Sequence, residues 1–249
     1  MAPNTDEWNY DDDGDCGPCH WPVKSMGHAQ SPIDFKLSII KPIKLHDNLK
    51  FVRYDKPING HIVNNGHSIQ FLIDSMLAPE IYGGGLGQKY RFVQYHFHWG
   101  PNEHEGSEHT VGGLHYAAEL HLVHQGVEDP KRFAVLGIFL IIGQDGDTLH
   151  AEETVLKKLI NSGSSCAMQN VVLNSKLPHN KHSFVRYHGS LTTPPCTECV
   201  TWTVFTEPIS VTKHQLSLLR HIKDYRGKPV HNNCRPLQKD NDRSIYLAC

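Results

Sequence analysis

Gln94-Tyr95-His96-Phe97-His98-Trp99-Gly100 reads as a two-faced strand, in which Gln94, His96 and His98 share one side. The strand-like run Tyr116-Ala117-Ala118-Glu119-Leu120-His121-Leu122-Val123 places Glu119 and His121 together in the same way. Paired antiparallel, the two strands bring His121 opposite the first two histidines, because cross-strand neighbours sit about 5 Å apart. Three neutral imidazoles leave a zinc ion its double charge and one open position. That arrangement lowers the pKa of bound water from about 15.7 to about 7. A lone His-x-His pair is more often a solvated or core strand than a ligand set. Here a third histidine and the interleaved Gln94 and Glu119, which can orient the rings, favour the metal. A buried Glu119 without a cation nearby would be costly, so it is expected to face charged groups.

Outward from these strands, Ile69 to Ile73, Arg91 to Trp99, Ala117 to His124, Phe133 to Ile142 and Val200 to Phe205 read as strands between turn residues. Thr148 to Ile160 carries an apolar helical stripe with Gly163 as its stop. Thr212-Lys213-His214-Gln215 predicts a capping box ahead of a second helix. Glycines 83, 84, 85 and 87 lack the Lys-Ser/Thr ending of a phosphate loop and lead into a strand, so they predict a turn. His104 and His109 are five residues apart, whereas a helical zinc motif needs four.

The 249 residues contain no low-complexity linker, repeat or long charge run, which favours a single domain over 1–249 with a loose tail at 1–7. A net charge of −2 gives no electrostatic reason to expect nucleic acid or an anionic membrane as a partner. The longest apolar run, Phe133 to Ile142, is too short to span a bilayer. The first residues lack a signal peptide's basic start and apolar stretch, and no Asn-x-Ser/Thr site occurs. Both favour a cytoplasmic protein, a secreted one being the alternative if a leader has been removed. Seven cysteines leave at least one thiol unpaired within the chain. Cys16-Gly17-Pro18-Cys19 has redox-motif spacing but lies in an acidic, turn-rich stretch rather than a βαβ unit.

Several separated blocks now add up. Gln30-Ser31-Pro32-Ile33-Asp34, Asn64-Asn65-Gly66-His67, Ser107-Glu108-His109-Thr110-Val111, Gly189-Ser190-Leu191-Thr192-Thr193-Pro194-Pro195, Val200-Thr201-Trp202, and Asn233 with Arg235-Pro236 occur in that order. With the histidine strands, they resemble the α-class carbonic anhydrases of metazoan type, from about Trp8 to the end. The resemblance implies a β-rich α+β domain: a large, twisted, mostly antiparallel central sheet of about ten strands with short peripheral helices. It implies one Zn2+ per chain on His96, His98 and His121, oriented by Gln94, Glu119 and the Asn233 carbonyl. The expected activity is reversible hydration of carbon dioxide to bicarbonate and a proton by zinc-bound hydroxide, sensitive to sulfonamides. Thr192 would accept the hydroxide proton and donate its own to Glu108, and Thr193 would position bicarbonate. Val123, Val135, Leu191 and Trp202 would form the apolar wall for carbon dioxide, though each reads equally well as core. His67 would shuttle the proton, since histidine titrates near neutrality. Tyr10, Asn65 and Gln70 would order the connecting waters. Histidines 28, 46, 61, 104, 115, 150, 179, 182, 188, 214, 221 and 231 read mostly as solvated surface.

The chain also departs from the family pattern. The connection Gln125 to Arg132 is shorter than in common vertebrate cytosolic forms and lacks a rim helix, which is expected to alter the outer cavity. Cys234 stands where the family has tryptophan. Secreted members often carry half of a disulfide at the position of Cys196, but Ser25-Met26-Gly27 occupies the usual partner's place, leaving Cys16 or Cys19 as substitutes. A catalytically silent relative used for binding would have lost zinc histidines, and all three are present. A mineral-associated scaffold would carry appended acidic or Gly-rich repeats, which are absent.

Overall fold

The computed structural model describes residues 8–11, 14–21, 27–75 and 77–248; the tail expected at 1–7 and the Ser25-Met26 pair lie outside them. Fifteen strands are described. They are β1 (Asp34–Phe35), β2 (Lys41–Ile43), β3 (Leu49–Val52), β4 (Ile58–Asn64), β5 (Ile69–Ile73), β6 (Glu80–Gly83), β7 (Tyr90–Trp99) and β8 (Thr110–Val111). The rest are β9 (Ala118–Gly126), β10 (Phe133–Ile142), β11 (Ser165–Val171), β12 (Phe184–Gly189), β13 (Val200–Phe205), β14 (Ile209–Val211) and β15 (Tyr246–Ala248).

Thirteen strands form one twisted, open sheet, whose main path of ten runs β11-β4-β5-β7-β9-β10-β13-β12-β15-β2. Most pairs are antiparallel; β10 lies parallel to β13 and β14, and β15 parallel to β2. Strand β10 is central because Phe-Ala-Val-Leu-Gly-Ile-Phe-Leu-Ile-Ile offers apolar side chains to both faces, and seven consecutive residues of it are buried. The expected β-rich single domain with peripheral helices is therefore the observed architecture.

The two faces carry different cores. Tyr95, Phe97, Trp99, Leu120, Leu122, Leu136 and Ile138 join the larger cluster on one face. Val123, Val135, Phe139, Tyr187, Trp202 and Val204 form a smaller cluster on the other. A bulge decides which residues of β7 go where. Register with β9 slips between Phe92 and Gln94, so Val93 is an extra residue and the alternation changes phase. Before it Tyr90 and Phe92 face the large core; after it Tyr95, Phe97 and Trp99 do. That shift turns Gln94, His96 and His98 together onto the opposite face.

Two helices are described. Lys213–Arg220 (α2) begins with the expected capping box: Thr212 accepts from the Gln215 N–H and the Gln215 side chain accepts from the Thr212 N–H. The other, His150–Leu156 (α1), ends well before Gly163. Its continuation tightens into i→i−3 bonds at Lys158 and Leu159, while the carbonyls of Leu159 and Ile160 accept from Asn64 Nδ2. Tertiary bonding thus stops the helix before glycine can. Glycines 83, 84, 85 and 87 all adopt positive φ, as a turn requires.

Candidate metal centre

Adjacent strands β7 and β9 bring the three histidines together, with His96 paired directly to His121. The ring centroids of His98 lie 5.0 Å from His96 and 4.5 Å from His121. Each ring spends one nitrogen on a different acceptor. His96 Nδ1 bonds Gln94 Oε1 at 2.9 Å, His98 Nδ1 bonds the Asn233 carbonyl at 2.7 Å, and His121 Nε2 bonds Glu119 Oε1 at 2.8 Å. These bonds fix the tautomers and leave His96 Nε2, His98 Nε2 and His121 Nδ1 unspent. One nitrogen from each ring lies within 4.8 Å of those of the other two, a group that could hold a metal ion. His98 Nε2 is fully buried with no hydrogen-bond partner. A polar atom so placed is costly unless something binds it. Burial lowers the pKa of all three rings, that of His98 to about 3, so they stay neutral and available as donors.

The Asn233 side chain braces the same place. Its Nδ2 donates to the carbonyls of Phe97 and His67, and its Oδ1 accepts from the Trp99 N–H. Glu119 is buried between two imidazoles, since His109 also donates to its carboxylate from Nδ1 at 2.7 Å and from the backbone N–H. Burial opposes the charge of Glu119, but His109 and His121 hold its carboxyl well below the ordinary range. His109 in turn meets Tyr187 Oη at 2.6 Å, and Tyr187 donates to Ser31. Sequence reasoning assigned His109 no role. The signal was the expectation that Glu119 faces charge, with His109 inside the quoted Ser107-Glu108-His109 block.

Glu108 reaches toward the centre, its Oε2 lying 3.4 Å from His98 Nε2. Burial pushes its carboxyl well up, opposed by the Arg235 N–H on Oε1 and by the neighbouring Thr192 hydroxyl. Thr193 and Leu191 are half-buried beside Thr192. Val123 pairs with Val135, and Val135 with Trp202, so three of the four apolar residues form one row across β9, β10 and β13. Leu191 packs on the same cluster.

His67 stacks flat on Trp8, with ring centroids 3.7 Å apart, inside an aromatic group that includes Tyr10 and Trp21. Burial there lowers its pKa to about 4, with Asp224 pulling the other way, so the ring is neutral in this position rather than poised near neutrality. Trp8→Ala should raise the His67 pKa toward the ordinary value of about 6.5 by restoring hydration. Titration of the His67 ring protons by NMR checks this; a value still near 4 would place the cause elsewhere. Asn65 Nδ2 donates to Gln70 Oε1, and Asn65 Oδ1 holds the His67 and Ser68 N–H groups. Tyr10 keeps its hydroxyl proton well past its usual range, through burial first and Glu108 second.

Cys16, Cys19 and Cys196 are free thiols, so neither candidate disulfide is formed. Cys234 Sγ lies 3.2 Å from the Gly106 carbonyl, and burial raises its pKa. The Gln125 to Arg132 connection is a tight turn closed by Gly126 N–H on the Arg132 carbonyl, without a helix. Of the histidines expected at the surface, His61 and His115 are half-buried and the others exposed; His124, left unassigned, is buried against Tyr54. No helix among the described residues is long and apolar enough to cross a membrane.

A convergent donor set in the face of a large twisted sheet, beside a buried carboxylate and an apolar row, marks the chain as a candidate metalloenzyme. Comparison with known proteins identifies which one. The model of the eukaryotic-type carbonic anhydrase family matches residues 16–249. A Caenorhabditis elegans protein named provisionally as carbonic anhydrase 3 is 57% identical, over 97% of each chain. Carbonic anhydrase 3 of Sus scrofa is 35% identical over 97% of this chain and 98% of its own. The chain belongs to the eukaryotic-type carbonic anhydrase family and is a carbonic anhydrase enzyme. Hydration of carbon dioxide is that family's reaction, and the family is zinc-dependent in general.

Proposed function

We propose that this chain binds one Zn2+ through His96 Nε2, His98 Nε2 and His121 Nδ1 and hydrates carbon dioxide reversibly to bicarbonate and a proton. The observation that carries this is the set of three unspent imidazole nitrogens, one of them buried without any partner. The donor set fits zinc, which favours three neutral nitrogen ligands and an open position. When bound, zinc supplies Lewis acidity that makes a water molecule acidic near neutrality.

The chain's own groups do the rest. Ionised Glu108 accepts the Thr192 proton, which leaves the Thr192 oxygen as an acceptor toward the open position and selects ligands that carry a proton. A divalent cation at the imidazoles would oppose the burial that raises the Glu108 carboxyl, favouring the ionised acceptor this relay needs. Val123, Val135, Leu191 and Trp202 give nonpolar carbon dioxide a dry wall, and Thr193 positions the charged product. His67 accepts the proton on leaving its stack on Trp8, where hydration restores its basicity, and Tyr10, Asn65 and Gln70 order the water between. The substrates are carbon dioxide, water and bicarbonate, and a cytoplasmic location suits the free thiols.

Stopped-flow hydration of carbon dioxide, with and without a primary sulfonamide, tests the reading. Fast, sulfonamide-sensitive turnover supports it; absence of turnover in zinc-replete protein would overturn it. His67→Ala should slow turnover in weak buffer by about 100-fold, the lower end of what losing general acid–base catalysis costs, and small imidazoles should restore it. Unchanged turnover would remove His67 from the proton path.

A further inference from the structure

On the sheet face turned away from the metal centre, a cleft of about 450 Å³ lies along β12, β15 and β2. That volume is ordinary for a small-molecule site. Much of its lining is apolar, from Ile43, Leu45 and Tyr246, while Arg186 and Arg243 bring two positive charges. Alternation along β12 explains the split: Val185 and Tyr187 join the cluster beside the metal centre, whereas Arg186 points to the other face.

Arg186 is only 8% exposed. Its Nε donates to Thr203 Oγ1 at 3.1 Å and its Nη1 to the Gly84 carbonyl at 2.8 Å, but its Nη2 is buried with no partner. Burial draws its pKa down to about 10, so it remains a cation at neutrality. Arg243 donates only to backbone carbonyls, those of Asp240, His188, Gln30 and Lys239. Among the described residues no carboxylate accepts from either guanidinium. The acids that act on Arg243 from a distance are engaged elsewhere, Asp240 with Lys36 and Glu198 with the Ala29 N–H and Gln30 Nε2. A buried guanidinium with a spare donor and no counter-charge, at the edge of an apolar cleft, is a mismatch that an anionic ligand would remove.

We propose that this cleft binds a small organic carboxylate, its head taken by the Arg186 guanidinium and its apolar body by Ile43, Leu45 and Tyr246. The site is separate from the metal centre, and its mostly apolar walls suit the body of an organic acid better than a bare phosphate.

The test is 19F NMR of 4-fluorobenzoate with the protein, with and without a saturating primary sulfonamide. Saturable binding that survives the sulfonamide is expected, weakened at least about tenfold in Arg186→Leu through loss of a charged hydrogen bond. Neutral 4-fluorobenzamide should bind the unaltered protein at least about tenfold more weakly, a comparison that stands even if the variant fails to fold. Displacement by the sulfonamide would assign the probe to the metal centre and overturn the proposal. So would equal binding of acid and amide, equal binding by a folded Arg186→Leu variant, or no binding at millimolar probe.

Discussion

His98→Ala should strip the protein of zinc and abolish carbon dioxide hydration while leaving the sheet folded. His98 is buried, its Nδ1 is fixed by the Asn233 carbonyl at 2.7 Å, and its Nε2 has no other partner. Loss of a group that merely orients a ligand costs about 10- to 100-fold in metal affinity. Loss of the ligand itself leaves two imidazoles, which cannot build the three-donor open site, and should exceed that range. Zinc per chain after dialysis against a mild chelator, together with stopped-flow turnover, measures the effect. A urea denaturation curve separates metal loss from unfolding. Stoichiometric zinc with full turnover in this variant would sink the ligand assignment.

Lys176→Met should cost about 3–5 kcal/mol of stability, because it strands a buried carboxylate. Lys176 and Glu152 are both buried on the large-core side of the sheet, with Lys176 Nζ 2.7 Å from Glu152 Oε2. Tyr95 donates to the other Glu152 oxygen, and Lys176 also donates to the Thr148 carbonyl. The ammonium sits 5.4 Å from the Tyr95 ring centroid. The group ties α1 and its flanking turn to β7, directly behind His96. Removing all its polar partners together, as Lys176→Met, Glu152→Leu and Tyr95→Phe, should recover most of the loss, since no buried charge is then unpaired. Urea denaturation of the single and triple variants checks both halves. A loss under about 1 kcal/mol in the single variant would mean that water reaches Glu152.

Much of the scaffold was legible locally. Phe133 to Ile142 and Val200 to Phe205 form strands at the expected residues, because an apolar run or alternation states its own period. The Thr212 capping box is equally local. The helix ending at Leu156 was not, since the carbonyls that would carry it onward are taken by Asn64, 95 residues away for the Leu159 carbonyl. His67 was legible as a residue but not in its protonation, which depends on a stack with Trp8.

By itself the sequence determined the family, the strand-borne histidine set and its flanking Gln94 and Glu119, because residue type and a two-residue period suffice for those. Only the tertiary structure decided what depends on distant partners. The Val93 bulge chooses the face of β7 that carries the donors, and Asn233 reaches His98 across 135 residues of chain. His109 shares Glu119 with His121, the Lys176 ammonium goes inside, and Arg186 keeps a spare donor beside an apolar cleft. Register, burial and hydrogen-bond satisfaction are properties of packed pairs, and a linear pattern specifies only one member of each pair at a time.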